Sequence, residues 1–267
     1  MQFGEMHWPE AGAAAERKAV VIVPLGSLEQ HGHHLPLLTD SLIGAEVARR
    51  AEAELAGDGF LFLPILWLGA SDHHRSFPGT VSVSTDTYVR MVTELADSLI
   101  GSGFRRLFFL NAHAGNINPA RLALTELQIR YRKELPDLYL VFASWFDIAG
   151  KAVAAIEGLS QQVISHACEW ETSAILATRP ELVGDERPST RRSFESAFWC
   201  PDFRRPSRVD VMRTLEQSSP PGALGYPERS TAEKGEAILS VAAHEVATFL
   251  REFGTWPATL AGTEERQ

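Results

Sequence analysis

Four short apolar runs, at residues 19–25, 60–66, 105–110 and 138–143, alternate with segments whose apolar residues recur at helical spacing. This alternation constrains the fold more than any other feature of the chain. Parallel strands need a long crossover between them, and a helix is the usual one. The helical segments are 41–55, carrying Leu42, Ile43, Val47, Ala51 and Leu55, then 84–102 and 120–135. Ser84 or Thr85 can cap the second of these, and Gly57, Gly59, Gly101 and Gly103 supply stops. The pattern predicts an α/β protein with a mostly parallel central sheet and helices on both faces. Right-handed crossovers then bring the C-terminal ends of all four strands to one edge. Open α/β sheets carry their sites at that edge.

Each apolar run is followed by residues suited to chemistry. Residues 21–40 read V-I-V-P-L-G-S-L-E-Q-H-G-H-H-L-P-L-L-T-D. Gly26 ends the run, and Glu29, His31, His33, His34 and Asp40 follow in one loop. Carboxylate and imidazole together suit zinc, manganese or iron. Glu29 and His31 are two positions apart, so in an extended segment they point the same way. Asp40, next to Thr39, has a plainer alternative as a helix cap. The second run leads to His73, His74 and Arg75, for which a solvated loop is the plain alternative. The third leads to N-A-H-A-G-N at 111–116, and the fourth to Ser144, Trp145, Phe146 and Asp147.

Beyond residue 150 the alternation stops. The stretch 161–178 contains S-H-A-C-E-W-E-T-S and turns helical in its second half, with Glu169 and Glu171 near the start of the helix. Residues 184–228 are rich in Pro, Arg and Ser, and 231–253 form a final amphipathic helix. Arg191, Arg192, Arg204, Arg205 and Arg208 read as a solvated face or subunit ion pairs, with anion binding as the alternative. The tail after Pro257 is expected to fray. No linker divides the chain, so residues 1–267 are read as one domain, with a core at about 19–180, the helix 231–253 and an insert at 184–228.

The net charge of -9 argues against nucleic acid or an anionic membrane as partner. No apolar run is long enough to span a bilayer, and the first residues lack the pattern of a signal peptide. Two cysteines provide no disulfide framework. The expectation is a cytoplasmic protein acting on a small molecule.

Four segments carry a resemblance. The run P-L-G-S-L-E-Q-H-G-x-H-L-P-L-x-T-D from Pro24, H-x-x-F-P-G-T from His74, N-x-H-x-G-N from Asn111 and H-A-x-E-x-E-T-S from His166 together resemble the creatininase (creatinine amidohydrolase) family. The resemblance implies a three-layer α/β/α sandwich and a two-metal centre that hydrolyses amide-type bonds. It implies Glu29, His31, Asp40 and His113 as metal ligands, with Asp40 bridging, and Glu169 as the fifth. His166 matches the family's catalytic histidine. Two divalent ions, zinc first with manganese or iron compatible, would lower the pKa of a water between them and polarise the scissile carbonyl. A cyclic amide or formamide is the implied substrate. A lactone, a cyclic ketone, or ligand binding without turnover are the alternatives. Family members form dimers assembled into hexamers, so a homo-oligomer is implied.

The departures from the family pattern are specific. His33 stands where proline is usual, and it is a candidate for substrate contact, with solvent as the alternative. His74, Trp145 and Trp170 are further pocket candidates, although a Trp at a strand end is more often core. Ala112 and Ala114 replace glycines. Gly115 stands where creatininase proper carries a metal-binding Glu, so the second metal needs another ligand, and creatinine itself is disfavoured. Glu171 is read as a hydrogen-bonding residue of the helix start, and Cys168 as a packed side chain.

Overall fold

The computed structural model describes residues 1–258 apart from 56, 58, 192, 193 and 202–204. Arg192 and Arg204 of the basic cluster and the tail from residue 259 therefore lie outside the described residues. In chain order the main elements are α1 (Trp8–Glu16), β1 (Val20–Leu25), α2 (Thr39–Glu54), β2 (Phe60–Phe62), α3 (Thr85–Gly101), β3 (Arg106–Asn111), α4 (Ile117–Tyr131) and β4 (Tyr139–Ser144). There follow α5 (Trp145–Ile148), α6 (Gly150–Ala154), α7 (Glu169–Thr178), α8 (Leu215–Ser218) and α9 (Ala232–Thr255). No described helix is long and apolar enough to cross a membrane.

The strands form one parallel sheet in the order β2-β1-β3-β4. Period-two alternation divides their side chains between two cores. Val21, Val23, Leu25, Leu107 and Phe109 face the core that also takes Tyr88 and Val92 of α3 and Leu124 and Leu127 of α4. Val20, Ile22, Phe108 and Leu110 face the other, built with α2, α7 and α9. This is the expected α/β/α sandwich. The second strand is shorter than its apolar run. Pro64 has no N–H to give the ladder, so after Phe62 the chain stays beside β1 only through bonds such as Leu63 N to Ile22 O and Leu66 N to Pro24 O, both 2.9 Å.

Two helix placements bear on the site. Ser27 Oγ donates to Asp40 Oδ2 at 2.7 Å, and Ser41 Oγ to the Ser27 carbonyl at 2.8 Å, which fixes the start of α2 against the end of β1. On the same face α9 lies close along α7. A Cβ at Gly235 would overlap the Ser173 carbonyl, so glycine is what permits the approach. The Ala112 methyl is accommodated in the same manner, since a Cβ on Gly44 would stand only 2.8 Å from it. Neither Ala112 nor Ala114 has a positive φ, so the substitution of glycine there tightens packing without straining the backbone.

The insert is mostly irregular, with α8 as its short helix. It is bound to the rest through Leu224 N to His166 O at 2.7 Å and Ser165 Oγ to Leu224 O at 2.5 Å.

Candidate metal centre

The strand order reverses between β1 and β3: β2 lies on one side of β1 and β3 on the other. A crevice opens at such a reversal, beyond the carboxyl ends of the two strands. The register ends with Leu25 beside Asn111. Glu29, His31 and Asp40 descend from the first strand, and His113 from the second. All four are buried, with 0, 0, 4 and 3 % exposure.

Asp40 is the hub. Its Oδ1 lies 3.2 Å from His31 Nε2, and its Oδ2 lies 2.9 Å from His113 Nδ1. Each carboxylate oxygen therefore faces a different imidazole. Burial opposes the charge on Asp40, yet His31 and His113 hold its carboxyl well below the usual range. The reverse holds for the imidazoles. Burial disfavours a charged His31, but Asp40 prevails and pushes its pKa up to about 10. For His113, Glu29 and Asp40 outweigh burial and push it up to about 9. His31 Nδ1 lies 3.1 Å from the Glu29 carbonyl, so a proton held there leaves Nε2 free as a donor atom in the neutral ring.

Glu29 lies at the centre of the cluster. His113 Nε2 is 3.2 Å from its Oε2 and His74 Nε2 is 3.3 Å from its Oε1, but neither carboxylate oxygen receives an aligned hydrogen bond. Burial, with the Asp40 carboxylate nearby, pushes its pKa up to about 7. A buried carboxylate with no donor is costly unless a cation meets it. One donor atom each from Glu29, His31 and Asp40 lie within 4.8 Å of one another, as do those of Glu29, His73 and His113, and of Glu29, His74 and His166. The donor set is oxygen and nitrogen, which fits a borderline divalent ion.

Gln30 sorts the histidines on the open side. Its side-chain Nε2 lies 2.9 Å from His74 Nδ1, and its carbonyl accepts from His166 Nε2 at 2.8 Å. An acceptor role for His74 Nδ1 places the proton on Nε2, facing Glu29. That turns the His74 Nε2–H toward Glu29, 3.3 Å from Oε1, without an aligned hydrogen bond. His166 is left with Nδ1 unprotonated, 3.8 Å from Glu29 Oε1. Burial, with His31 beside it, keeps the His166 ring neutral. Its neighbour Ala167 adopts φ 49°, a strained conformation for a residue with a Cβ.

The expected fifth ligand is elsewhere. Glu169 Oε1 pairs with Lys234 Nζ at 2.6 Å, and Oε2 accepts from Ser160 N at 2.7 Å. Glu171 faces the cavity with Glu29 and Asp40. Burial, with those carboxylates adding to it and His31 opposing, pushes its pKa up to about 7. The two glutamates are two residues apart on α7, about 200° around the helix. They cannot share a face, so Glu171 takes the pocket side and also accepts from Cys168 N at 3.2 Å.

Two pocket candidates are also displaced. His33 is exposed and lines no part of the cavity. Trp145 is core, 2 % exposed and edge-on to Phe146 at 5.7 Å. His74, Trp170 and His166 do line the cavity. Gln30 and Ser71, which lies 3.2 Å from His113 Nε2, were not singled out from the sequence. Only their position in the motif loops could have pointed to them.

Known proteins match this chain over most of its length. The family profile described as Creatininase, creatinine amidohydrolase, matches residues 4–250. A creatinine amidohydrolase of Pseudomonas putida is 33% identical over 93% of this chain and 95% of its own length. A mycofactocin precursor peptide peptidase of Mycobacterium ulcerans (strain Agy99) is 32% identical over 82% of this chain and 80% of its own. A solved structure described as "Creatininase Mn" matches with a TM-score of 0.73 and 29% identity, covering 94% of this chain and 97% of that one. The chain belongs to the creatininase family and is a metal-dependent hydrolase.

Proposed function

We propose that this protein hydrolyses a C–N bond in a cyclic amide or formamide, using two divalent ions, zinc first. Glu29 and His113 would hold one ion, His31 and Glu171 the other, and Asp40 would span both. The observation that carries this reading is Glu29, a fully buried carboxylate whose two oxygens have no hydrogen bond, within reach of donor atoms from His31, Asp40 and His113. The separate facing of Asp40 Oδ1 and Oδ2 supports its bridging role. Bound there, such ions lower the pKa of a water and polarise a carbonyl.

The chain supplies the proton transfer. His166 is neutral, with Nε2–H donated to the Gln30 carbonyl and Nδ1 open toward the cluster. It accepts a proton from the attacking water at Nδ1 as the C–O bond forms. It returns that proton to the nitrogen as the C–N bond breaks. Gln30 holds the ring in the orientation this requires.

A second reading, cleavage of a peptide, is favoured by the cavity itself. It encloses about 730 Å³, and its lining includes Trp199, Val211 and Leu215 from the insert. That volume suits a drug-sized ligand, which is more than a single small ring needs. The test is a panel of cyclic amides, formamides, lactones and short peptides, offered to zinc- and manganese-reconstituted protein and to His31→Ala and Asp40→Ala. Turnover that is lost in both variants while the fold is retained supports the reading. Full activity in both variants, or in chelated protein, overturns the metal mechanism.

A further inference from the structure

The loop after β2 brings a donor that the ligand set above does not use. His73 is half-buried and lines the cavity with Glu29 and His113. Its ring lies parallel to that of His113, with centroids 5.6 Å apart and planes 15° apart. One ring nitrogen lies within 4.8 Å of donor atoms of both Glu29 and His113. Among the described residues, no hydrogen bond is made by either nitrogen of His73. His74, its neighbour, is engaged by Gln30 and Glu29.

The space for this ring exists because residue 115 is glycine. A Cβ there would collide with the Ala70 carbonyl, with His113 Nε2 and, at 2.7 Å, with His73 Cε1. The absent side chain at 115 and the inward position of His73 are therefore one feature. Donors about 2 Å from a zinc ion stand roughly 3.5 Å apart in a tetrahedral site. The donor atoms of Glu29, His73 and His113 lie within 4.8 Å of one another, so a shared ion would draw them together by side-chain rotation.

We propose that His73 is a metal-ligating side chain, closing with Glu29 and His113 the metal position on the β2–β3 side of the cavity. The proposal rests on the metal-centre reading given above. It gives that ion an imidazole from a second loop, so the ion ties together the segments after β1, β2 and β3.

The test is zinc affinity and cobalt spectroscopy on the full chain, stripped with a chelator and titrated against a chromophoric competitor. His73→Ala removes the donor, and His73→Phe removes it while keeping a ring stacked on His113. Both should weaken one zinc equivalent by at least about tenfold and change the intensity of the cobalt d–d bands. Added imidazole should restore the spectrum of His73→Ala. The melting temperature of the metal-free protein should stay the same. Unchanged zinc affinity and cobalt spectra in both variants would overturn the role of His73 and leave the metal centre standing. A wild-type chain that takes up neither zinc nor cobalt would overturn the metal centre itself, and this proposal with it.

Discussion

Lys234 Nζ stands 2.6 Å from Glu169 Oε1, and this pair, formed between α9 and the start of α7, turns Glu169 away from the metal pocket. The carboxylate is fully buried and the ammonium about one-fifth exposed. Removing the charge from Glu169 leaves the Lys234 ammonium, among the described residues, with neutral acceptors alone, the amide oxygen and the Arg229 carbonyl at 2.8 Å. Glu169→Gln should therefore lower stability by about 1–3 kcal/mol and leave zinc content unchanged. Glu171→Gln should do the opposite, with a loss of bound metal and a small effect on melting. Thermal denaturation and elemental analysis of the two variants check this. Loss of metal in Glu169→Gln alone would reverse the assignment.

His166 Nε2 lies 2.8 Å from the Gln30 carbonyl, and the role proposed for this histidine is proton transfer, not ligation. His166→Ala should lower kcat by about 10²–10⁴-fold and retain the metal content of the wild type. Metal content and kcat are measured on the same preparation. Wild-type kcat would remove His166 from the reaction.

Metal binding should release protons. In the metal-free chain His31 and His113 have pKa values raised to about 10 and 9 by Asp40 and Glu29 against the effect of burial. Both are protonated at neutral pH, whereas ligation needs the neutral ring. A divalent ion must displace these protons, so affinity rises with pH up to those pKa values and falls in acid. Titration calorimetry with zinc in buffers of different ionisation enthalpy should give about one to two protons released per chain at pH 7. A heat that does not depend on the buffer would contradict the protonated metal-free cluster.

Gly235 is expected to be intolerant of substitution. A Cβ there overlaps the Ser173 carbonyl, and backbone cannot move aside as a flexible side chain can. Gly235→Ala, although it favours helix locally by about 1 kcal/mol, should destabilise the protein by about 3 kcal/mol through separation of α7 and α9. Denaturant titration checks the sign, and a more stable variant would show that the two helices can part without cost.

The layered fold was legible because it follows from local rules. Each strand is an apolar run stopped by a polar or turn residue, and α3 and α9 each carry an apolar stripe and a capping residue. Ser84 accepts from Thr87 N at 3.3 Å, and Thr231 accepts from Lys234 N at 3.2 Å, where a capping residue belongs. The loop holding Glu29, His31 and Asp40 was legible for a related reason. Residues close in sequence at the end of a buried strand have few places to go. What the sequence did not decide was phase and reach. Glu169 and Glu171 are equivalent in a motif, and only the packing of α7 against α9 turns one toward Lys234 and the other toward Asp40. His73 and His74 are adjacent in the chain, and only the Gln30 amide and the bare position at Gly115 set their different surroundings. Trp145 ended in the core because the first turn after β4 points into the layer beneath α9. The sequence by itself determined which segments become strands, helices and motif loops, since those depend on neighbouring residues. The tertiary structure decided which side chain of each pair enters the site, since that depends on atoms supplied by segments far away in the chain.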